Sequence, residues 1–461
     1  MANVFRPTLQ LAALSPLTAW SVIQAIKGIS ADMVEHRRSV FLYLSLAALL
    51  LFTQWVFLDS VRAAIRANRL GCKPVKPYPF PKKEVVAGMR RAFKEHRVMD
   101  ALKARLDTVG HTFVDNGPWG GMIITDEPEI VKTIQSTNFE DWDIAGPRLW
   151  SAVQNFGRRS IFTNNGAKWR AARDLIKPAF VRDEIADLAA FDRHVSRFLE
   201  HIPKDGSTVD LQPLFLKLTM DSSTDFLFGS STNTLTEASP SAKRFTDAFE
   251  YVLYTNAKYA YTGPLNLILP DRKIAAARRV MIDWIREYAE KASTEDKAKR
   301  RERKYVFIDA LVGSGADQEY ICDQLLGIMF AGRDATAIAM TVLFWFLARH
   351  PDVVAKIREE MTQLGDSGDN PTWTQVRGLK YLSNVIKETL RLFPPVPINS
   401  RTANKDTVLP CGGGPDGKAP VYVRKGSPCR WVLYSLHRRK DLYGEDADIF
   451  RPERWDDLDI E

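Results

Sequence analysis

Residues 39–58 (SVFLYLSLAALLLFTQWVFL) carry no charge over twenty positions, and no other segment restricts the possible folds as much. As a helix rising about 1.5 Å per residue, the run is about 30 Å long, which matches the hydrocarbon thickness of a bilayer. A transmembrane helix is the expectation, with a buried core helix as the alternative. Trp55 and Phe57 stand near one end, where aromatic rings suit a membrane interface. Downstream, Arg62, Arg66, Arg69, Lys73, Lys76, Lys82 and Lys83 outnumber the upstream Lys27, Arg37 and Arg38. By the positive-inside bias, everything after the run faces the cytosol. A cleavable signal peptide is disfavoured, because 38 residues precede the run and no small-residue cleavage site follows it. A weaker apolar stretch, residues 7–26, contains Pro16 and reads as a hairpin partner or an interfacial helix.

Between this run and the body lies Cys72-Lys73-Pro74-Val75-Lys76-Pro77-Tyr78-Pro79-Phe80-Pro81. Closely spaced prolines exclude helix and hold the chain extended, so the segment is both a linker and a stiff strut. The chain has 45% hydrophobic and 26% charged residues, values of a globular protein with a large core. Its net charge of +8 is dispersed, without the aromatic-interleaved basic stripe that nucleic acids need. Cys72, Cys322, Cys411 and Cys429 lie far apart with no C-x-x-C spacing, which argues against a disulfide scaffold and a structural zinc site.

Apolar periodicity predicts helices over 83–106, 167–181, 183–202, 211–228, 242–259, 272–292, 317–350, 351–363 and 379–392. Strand signals are fewer, at 112–113, 119–125 and in a cluster over 407–427. The run Cys411-Gly412-Gly413-Gly414-Pro415-Asp416-Gly417 is a turn, since it lacks the Gly-Lys-Ser/Thr ending of a phosphate loop.

Three constellations stand out. Glu388 and Arg391 share a helical face just before a Pro394-Pro395 stop, and Arg454 in Phe450-Arg451-Pro452-Glu453-Arg454-Trp455 is placed to complete an ion network. A chance surface pair is the bland alternative. Ala331-Gly332-Arg333-Asp334-Ala335-Thr336 interrupts the apolar run 325–347. A charged pair inside a buried helix is costly unless partnered, and Gly332 costs about 1 kcal/mol against Ala there. A polar notch in a helix-packing face is the plainer reading. Trp169 and Arg173, four apart, present donors only and suit a carboxylate, the alternative being a core tryptophan beside a solvated arginine.

Together these segments resemble the cytochrome P-450 (haem-thiolate monooxygenase) superfamily, from residue 83 to the end and most closely after residue 328. The resemblance implies a mainly α fold, a triangular helical domain with small β-sheets. The chain then divides into an N-terminal segment 1–38, a transmembrane helix 39–58, a basic and Pro-rich linker 59–82 and a catalytic domain 83–461. It also implies haem as cofactor, with Trp169, Arg173 and Arg401 on its propionates and Ala331 beside it. Gly332 makes room for dioxygen, while Asp334 and Thr336 relay protons; Ala335 stands where the family's first threonine is expected. Glu388, Arg391 and Arg454 become a structural network. Neither Cys411 nor Cys429 matches the family's iron-ligating cysteine, which follows the Arg454 motif. The expectation is therefore a C-terminally incomplete chain, and second a haemless, inactive relic.

The stretch 407–455, with Leu436-His437-Arg438-Arg439-Lys440-Asp441, resembles the fungal branch that hydroxylates alkanes and fatty acids. That likeness implies a membrane-bound monooxygenase of the endoplasmic reticulum, its body cytosolic. Electrons come from NADPH through a membrane-bound reductase, the substrate is apolar and partitions from membrane lipid, and no nucleic acid is involved. Arg438, Arg439 and Lys440 are expected to face the acidic reductase, with His437 solvated or on the proximal face. The alternatives are a tailoring oxygenase of secondary metabolism and a non-catalytic membrane protein.

Overall fold

Where apolar side chains recur every three to four residues the chain is helical, and the computed structural model follows that periodicity closely. It describes residues 37–117, 120–180, 189–262, 272–294, 307–369 and 371–457. The stretch 7–26 and part of the helix expected over 183–202 lie outside the described residues. The described residues form two compact units. One joins the chain up to Lys76 with Asp406–Arg424, and the other comprises Pro77–Lys405 with Lys425–Glu461.

In the first unit, helix α1 (Arg37–Arg69) extends the expected span at both ends. Its apolar side chains Leu49, Leu51, Phe52 and Trp55 are all exposed among the described residues. Length and composition suffice for it to cross a membrane.

The second unit holds most of the helices. Residues 83–106, expected as one helix, are two, α2 (Lys82–Lys94) and α3 (Val98–Val109). The break falls at His96, whose φ of 55° is left-handed and cannot continue a helix. Then come strands β1 (Thr112–Gly117), β2 (Gly120–Thr125) and β3 (Trp142–Asp143). Helix α4 (Gly146–Phe156) is not among the expected helices; Pro147 in its first turn suits a helix start, where no amide partner is lost. After it run α5 (Gly166–Ile176), α6 (Ala189–Glu200), α7 (Leu211–Phe228), α8 (Pro240–Thr262), α9 (Arg272–Thr294), α10 (Phe307–Gly313), α11 (Gln318–Leu347), α12 (Pro351–Met361) and α13 (Lys380–Leu392).

Local signals set the ends of the long helices. The Asp317 side chain accepts from the Tyr320 amide at the start of α11, and Asp210 accepts from the Gln212 amide at the start of α7. Gly229 ends α7 with a left-handed φ of 67°, while Pro394 and Pro395 stop α13. The central core is built around α7, α8, α9 and α11, with Met220, Phe245, Phe249, Trp284, Leu325 and Met329 buried against one another. The Phe245 and Trp284 rings stack with centroids 4.1 Å apart. Helix α11 passes the length test for a membrane span, but its buried side chains pack into this core.

Strands β4 (Ile398–Ala403) and β7 (Pro428–Val432) complete a five-stranded sheet of order β1-β2-β7-β4-β3, and neither carries a strand signal in the sequence. Strands β2 and β7 pair in parallel, Ile123 with Cys429 and Thr125 with Trp431. Strands β4 and β7 are antiparallel, setting Arg401 opposite Cys429. In the first unit, β5 (Thr407–Gly413) and β6 (Ala419–Val423) form a separate hairpin. The layout is mainly helical with small sheets, as the family resemblance implies.

Candidate cofactor cradle and central helix

Asn165, just before α5, positions the first candidate side chains. Its side chain accepts from the Ile144 amide at 2.8 Å and donates to the Ile144 carbonyl at 2.9 Å, serving as a strand partner for that segment. One turn into α5, Trp169 packs on Phe139 with centroids 5.0 Å apart, and the Arg173 guanidinium lies 5.4 Å from the indole centre. A cavity of about 300 Å³ is lined by Trp142, Asn165, Trp169 and Arg401, which brings two of the sequence-predicted residues to one place. Arg173 is close by through Trp169 and is exposed.

A further cation that sequence reasoning missed belongs to the same region. Arg148, on α4, donates to the Ser400 carbonyl at 2.7 Å, and Arg401 donates to that same oxygen at 3.0 Å. Among the described residues the two guanidiniums meet neutral oxygens and no carboxylate, Arg401 also donating to Asn399 Oδ1 at 3.4 Å. Burial, with the Arg401 charge adding to it, lowers Arg148 to about 10; burial also lowers Arg401. Two more donors are unused: the indole N–H groups of Trp142 and Trp431 are buried without a partner among the described residues. The Arg401 guanidinium lies 5.9 Å from the Trp431 ring centre. The cavity lining also holds the carboxylates of Glu140 and Asp143, Glu140 pairing with Arg170 at 2.8 Å. The guanidinium and indole donors beside them that have no carboxylate partner fit a group that brings acceptors, such as a pair of carboxylates. The missed signal was Pro147 opening an apolar-periodic helix, which would have placed Arg148 inside the fold.

On α11 the motif residues divide by face. Arg333 is 3% exposed and donates to Asp334 Oδ1 at 3.0 Å and to Glu250 Oε1 on α8 at 2.7 Å. Asp334 keeps 24% side-chain exposure, and burial raises its pKa despite the Arg333 charge and hydrogen bond. Ala331, Gly332 and Thr336 are exposed. Gly332 and Thr336 are four apart and share one face. Asp334 is turned about 160° from Thr336. A Cβ on Gly332 would lie 3.2 Å from Ser223 Oγ, so close approach of α7 also favours glycine there.

Glu388, Arg391 and Arg454 form a buried ionic cluster. Glu388 is 0% exposed, Arg391 2% and Arg454 1%. Arg391 donates twice to Glu388, both at 2.8 Å. Arg454 Nε lies 3.4 Å from Oε1, Trp455 donates to Oε2 at 3.0 Å and the Arg451 amide to Oε1 at 3.0 Å. Arg391 also holds the carbonyls of His437 and Ala447, and Arg454 pairs with Asp446 at 2.7 Å. Burial alone would raise Glu388, but hydrogen bonds from Arg391 and Arg451 hold its carboxyl below the usual carboxylate range. The network joins α13 to the segment 437–455 with its donors and acceptors satisfied.

The basic run after Leu436 does not lie on the surface as expected. Arg438 is buried 3.7 Å from the Tyr434 ring centre, and Arg439 pairs with Glu127 at 3.2 Å and with Asp441. These pairings consume their charge within the fold. Lys440 alone of the three is exposed, and it pairs with Glu445. His437 is partly buried, its Nδ1 3.1 Å from the Arg391 carbonyl, and burial lowers its pKa. Cys429 is 0% exposed in β7, and burial pushes its thiol far up, which leaves it unreactive. Cys411 lies in the β5–β6 hairpin.

A family model with the description Cytochrome P450 matches residues 91–460. The chain is 39% identical over 402 residues to cytochrome P450 monooxygenase himC of Aspergillus japonicus, covering 84% of this chain and 71% of that protein. It is 36% identical over 427 residues to cytochrome P450 monooxygenase fsdH of Fusarium heterosporum, covering 87% and 74%. To cytochrome P450 52A13 of Debaryomyces hansenii it is 36% identical over 381 residues, covering 78% and 73%.

Proposed function

Because this chain belongs to the cytochrome P450 family of monooxygenases, we propose that it is a membrane-bound, NADPH-dependent haem monooxygenase that hydroxylates a long-chain alkane or fatty acid. One observation carries the cofactor reading: Trp169 and Arg401 line one cavity, and Arg148 meets Arg401 at the Ser400 carbonyl, neither guanidinium having a carboxylate partner among the described residues. The substrate reading rests on the resemblance of 407–455 to the alkane and fatty-acid branch. Helix α1 supports an endoplasmic-reticulum anchor over 39–58, a linker over 59–82 and a cytosolic body over 83–461. Apolar substrates reach such a body from the lipid in which they dissolve.

When bound, haem supplies the activation of dioxygen that puts one oxygen atom into a C–H bond. In this reading Arg148, Arg401, Trp169 and Arg173 would hold its propionates through guanidinium charge and an indole N–H. Ala331 and Gly332 leave the exposed face of α11 free of side-chain bulk. Burial raises the proton affinity of the Asp334 carboxyl, while Arg333 fixes its orientation. Thr336 Oγ1 is the hydroxyl on the Gly332 face. Glu388, Arg391 and Arg454 brace the segment beneath and take no part in proton or electron movement.

Full-length protein with haem, an NADPH–cytochrome reductase and NADPH is incubated with long-chain alkanes and fatty acids. Hydroxylated product is expected. A normal Soret band with no oxidised alkane or fatty acid overturns the substrate reading. Tailoring of a secondary metabolite is the second reading, because himC and fsdH are as similar to the chain as the 52-series relative. No Soret band at all overturns the enzyme reading in favour of an inactive relic.

A further inference from the structure

The segment after α1 behaves as an added strand on the β5–β6 hairpin. The Lys73 amide donates to the Pro420 carbonyl at 2.8 Å, and the Gly414 amide donates to the Pro74 carbonyl at 3.0 Å. Val75 bridges Gly413 antiparallel. A chain rich in proline has few amides to offer, and here the hairpin takes one of them. A Cβ at position 413 would lie 2.6 Å from the Lys73 carbonyl oxygen and 3.0 Å from those of Ala419 and Pro420. All three neighbours are backbone, so no flexible side chain can yield. Gly413 is a slot shaped to the strut.

Charge holds the other end. Arg66 pairs with Asp406 at 3.2 Å, and the same carboxylate accepts from the Tyr422 hydroxyl at 2.6 Å. Arg424, at the open end of the hairpin, pairs with Asp59. Asp59 is the first charge after the apolar run 39–58, so this pair stands where hydrocarbon would give way to headgroups.

We propose that the hairpin Asp406–Arg424 is a receiver for the continuation of the membrane helix, so that helix end, strut and hairpin meet the lipid surface as one module. The proposal rests on the membrane reading given above. The chain passes between this module and the remaining residues at three points, after Lys76, before Asp406 and after Arg424. The pull of the membrane is then shared among three strands of chain instead of one.

The test is hydrogen exchange, read by mass spectrometry over residues 70–76 and 411–417, on the full chain in phosphatidylcholine vesicles. Gly413→Val is expected to speed exchange of the Lys73 and Gly414 amides by at least about tenfold, since local opening sets that rate. Arg424→Asp is expected to speed it about threefold, in keeping with an exposed ion pair, and adding Asp59→Arg restores the original rate. Exchange in Gly413→Val equal to the parent, or a double swap no better than Arg424→Asp, overturns the receiver. Flotation of the parent with the vesicles reads the membrane assignment separately. A chain that does not float overturns that assignment, while amide protection in detergent micelles still reports on the hairpin.

Discussion

Arg148 and Arg401 both spend a hydrogen bond on the carbonyl oxygen of Ser400, and their charges oppose one another in a buried place. Removing one should therefore act with opposite sign on two measurements. Arg148→Met is expected to stabilise the haem-free chain by about 1–2 kcal/mol, because an unpaired buried charge is replaced by packing. The same change should speed haem transfer to apomyoglobin about tenfold or more, from the loss of a charge-assisted contact. If stability and haem retention fall together, Arg148 is a structural arginine and no part of the cradle. On α11, Ala335→Thr places a hydroxyl about 100° around the helix from Asp334, instead of the roughly 160° that separates Thr336 from it. Product formed per NADPH consumed is expected to rise about tenfold or more, the scale on which a positioned proton donor acts. An unchanged ratio would show that Thr336 already supplies what the missing threonine does elsewhere.

Between elements, the stakes are set by what cannot relax. Arg454→Ala leaves Glu388 and Asp446 short of a partner in a closed cluster, and about 3–5 kcal/mol of stability should be lost in urea unfolding. Gly157, at φ 83°, follows α4 directly, and a Cβ there would lie 1.9 Å from Asp323 Oδ1. Asp323 in turn pairs with Arg278 and accepts from the Arg159 amide, which ties the turn to α9 and α11. Gly157→Ala is expected to cost at least about 3 kcal/mol, through strained backbone and a displaced buried carboxylate. Helices such as α7, α11 and α13 are legible in the sequence because a stripe of Leu, Phe and Met names its own buried face. Strands β4 and β7 are not. Asn399, Ser400, Arg401 and Thr402 look like loop until β7 pairs with them, and a pairing across sequence leaves no local period. The ion network is legible in its members but not in its reach to His437 and Ala447. The helix that carries Arg148 has a local signal in Pro147, but the role of Arg148 does not, since it comes from a carbonyl about 250 residues away.

Over the whole molecule, acid is the condition that tells these parts apart. Hydrogen bonds hold the carboxyls of Glu388, Asp446 and Asp225 below their ordinary range, from Arg391, Arg454 and His194 respectively. A depressed folded-state value adds stability above the unfolded value, near pH 4, and loses it as pH falls through the folded value. Asp323 and Asp334 have the opposite sign, because burial makes the native state bind their protons more tightly. The urea midpoint is expected to drop steeply below about pH 4, and Glu388→Gln should be less stable at pH 7 yet show a flatter acid limb. A midpoint level from pH 7 to pH 3 would mean the network contributes no net charge stabilisation. The parallel union of β2 with β7 also has a consequence in time. Ile123 and Ile124 must wait for Cys429 and Arg430, about three hundred residues later. At about 5–20 residues per second on the ribosome, that edge stays open for roughly 15–60 s. In the membrane reading proposed above, a nascent chain held at the bilayer by α1 would spend that interval with one edge of β2 open, its other edge being paired with β1, and should lean on chaperones until β7 emerges.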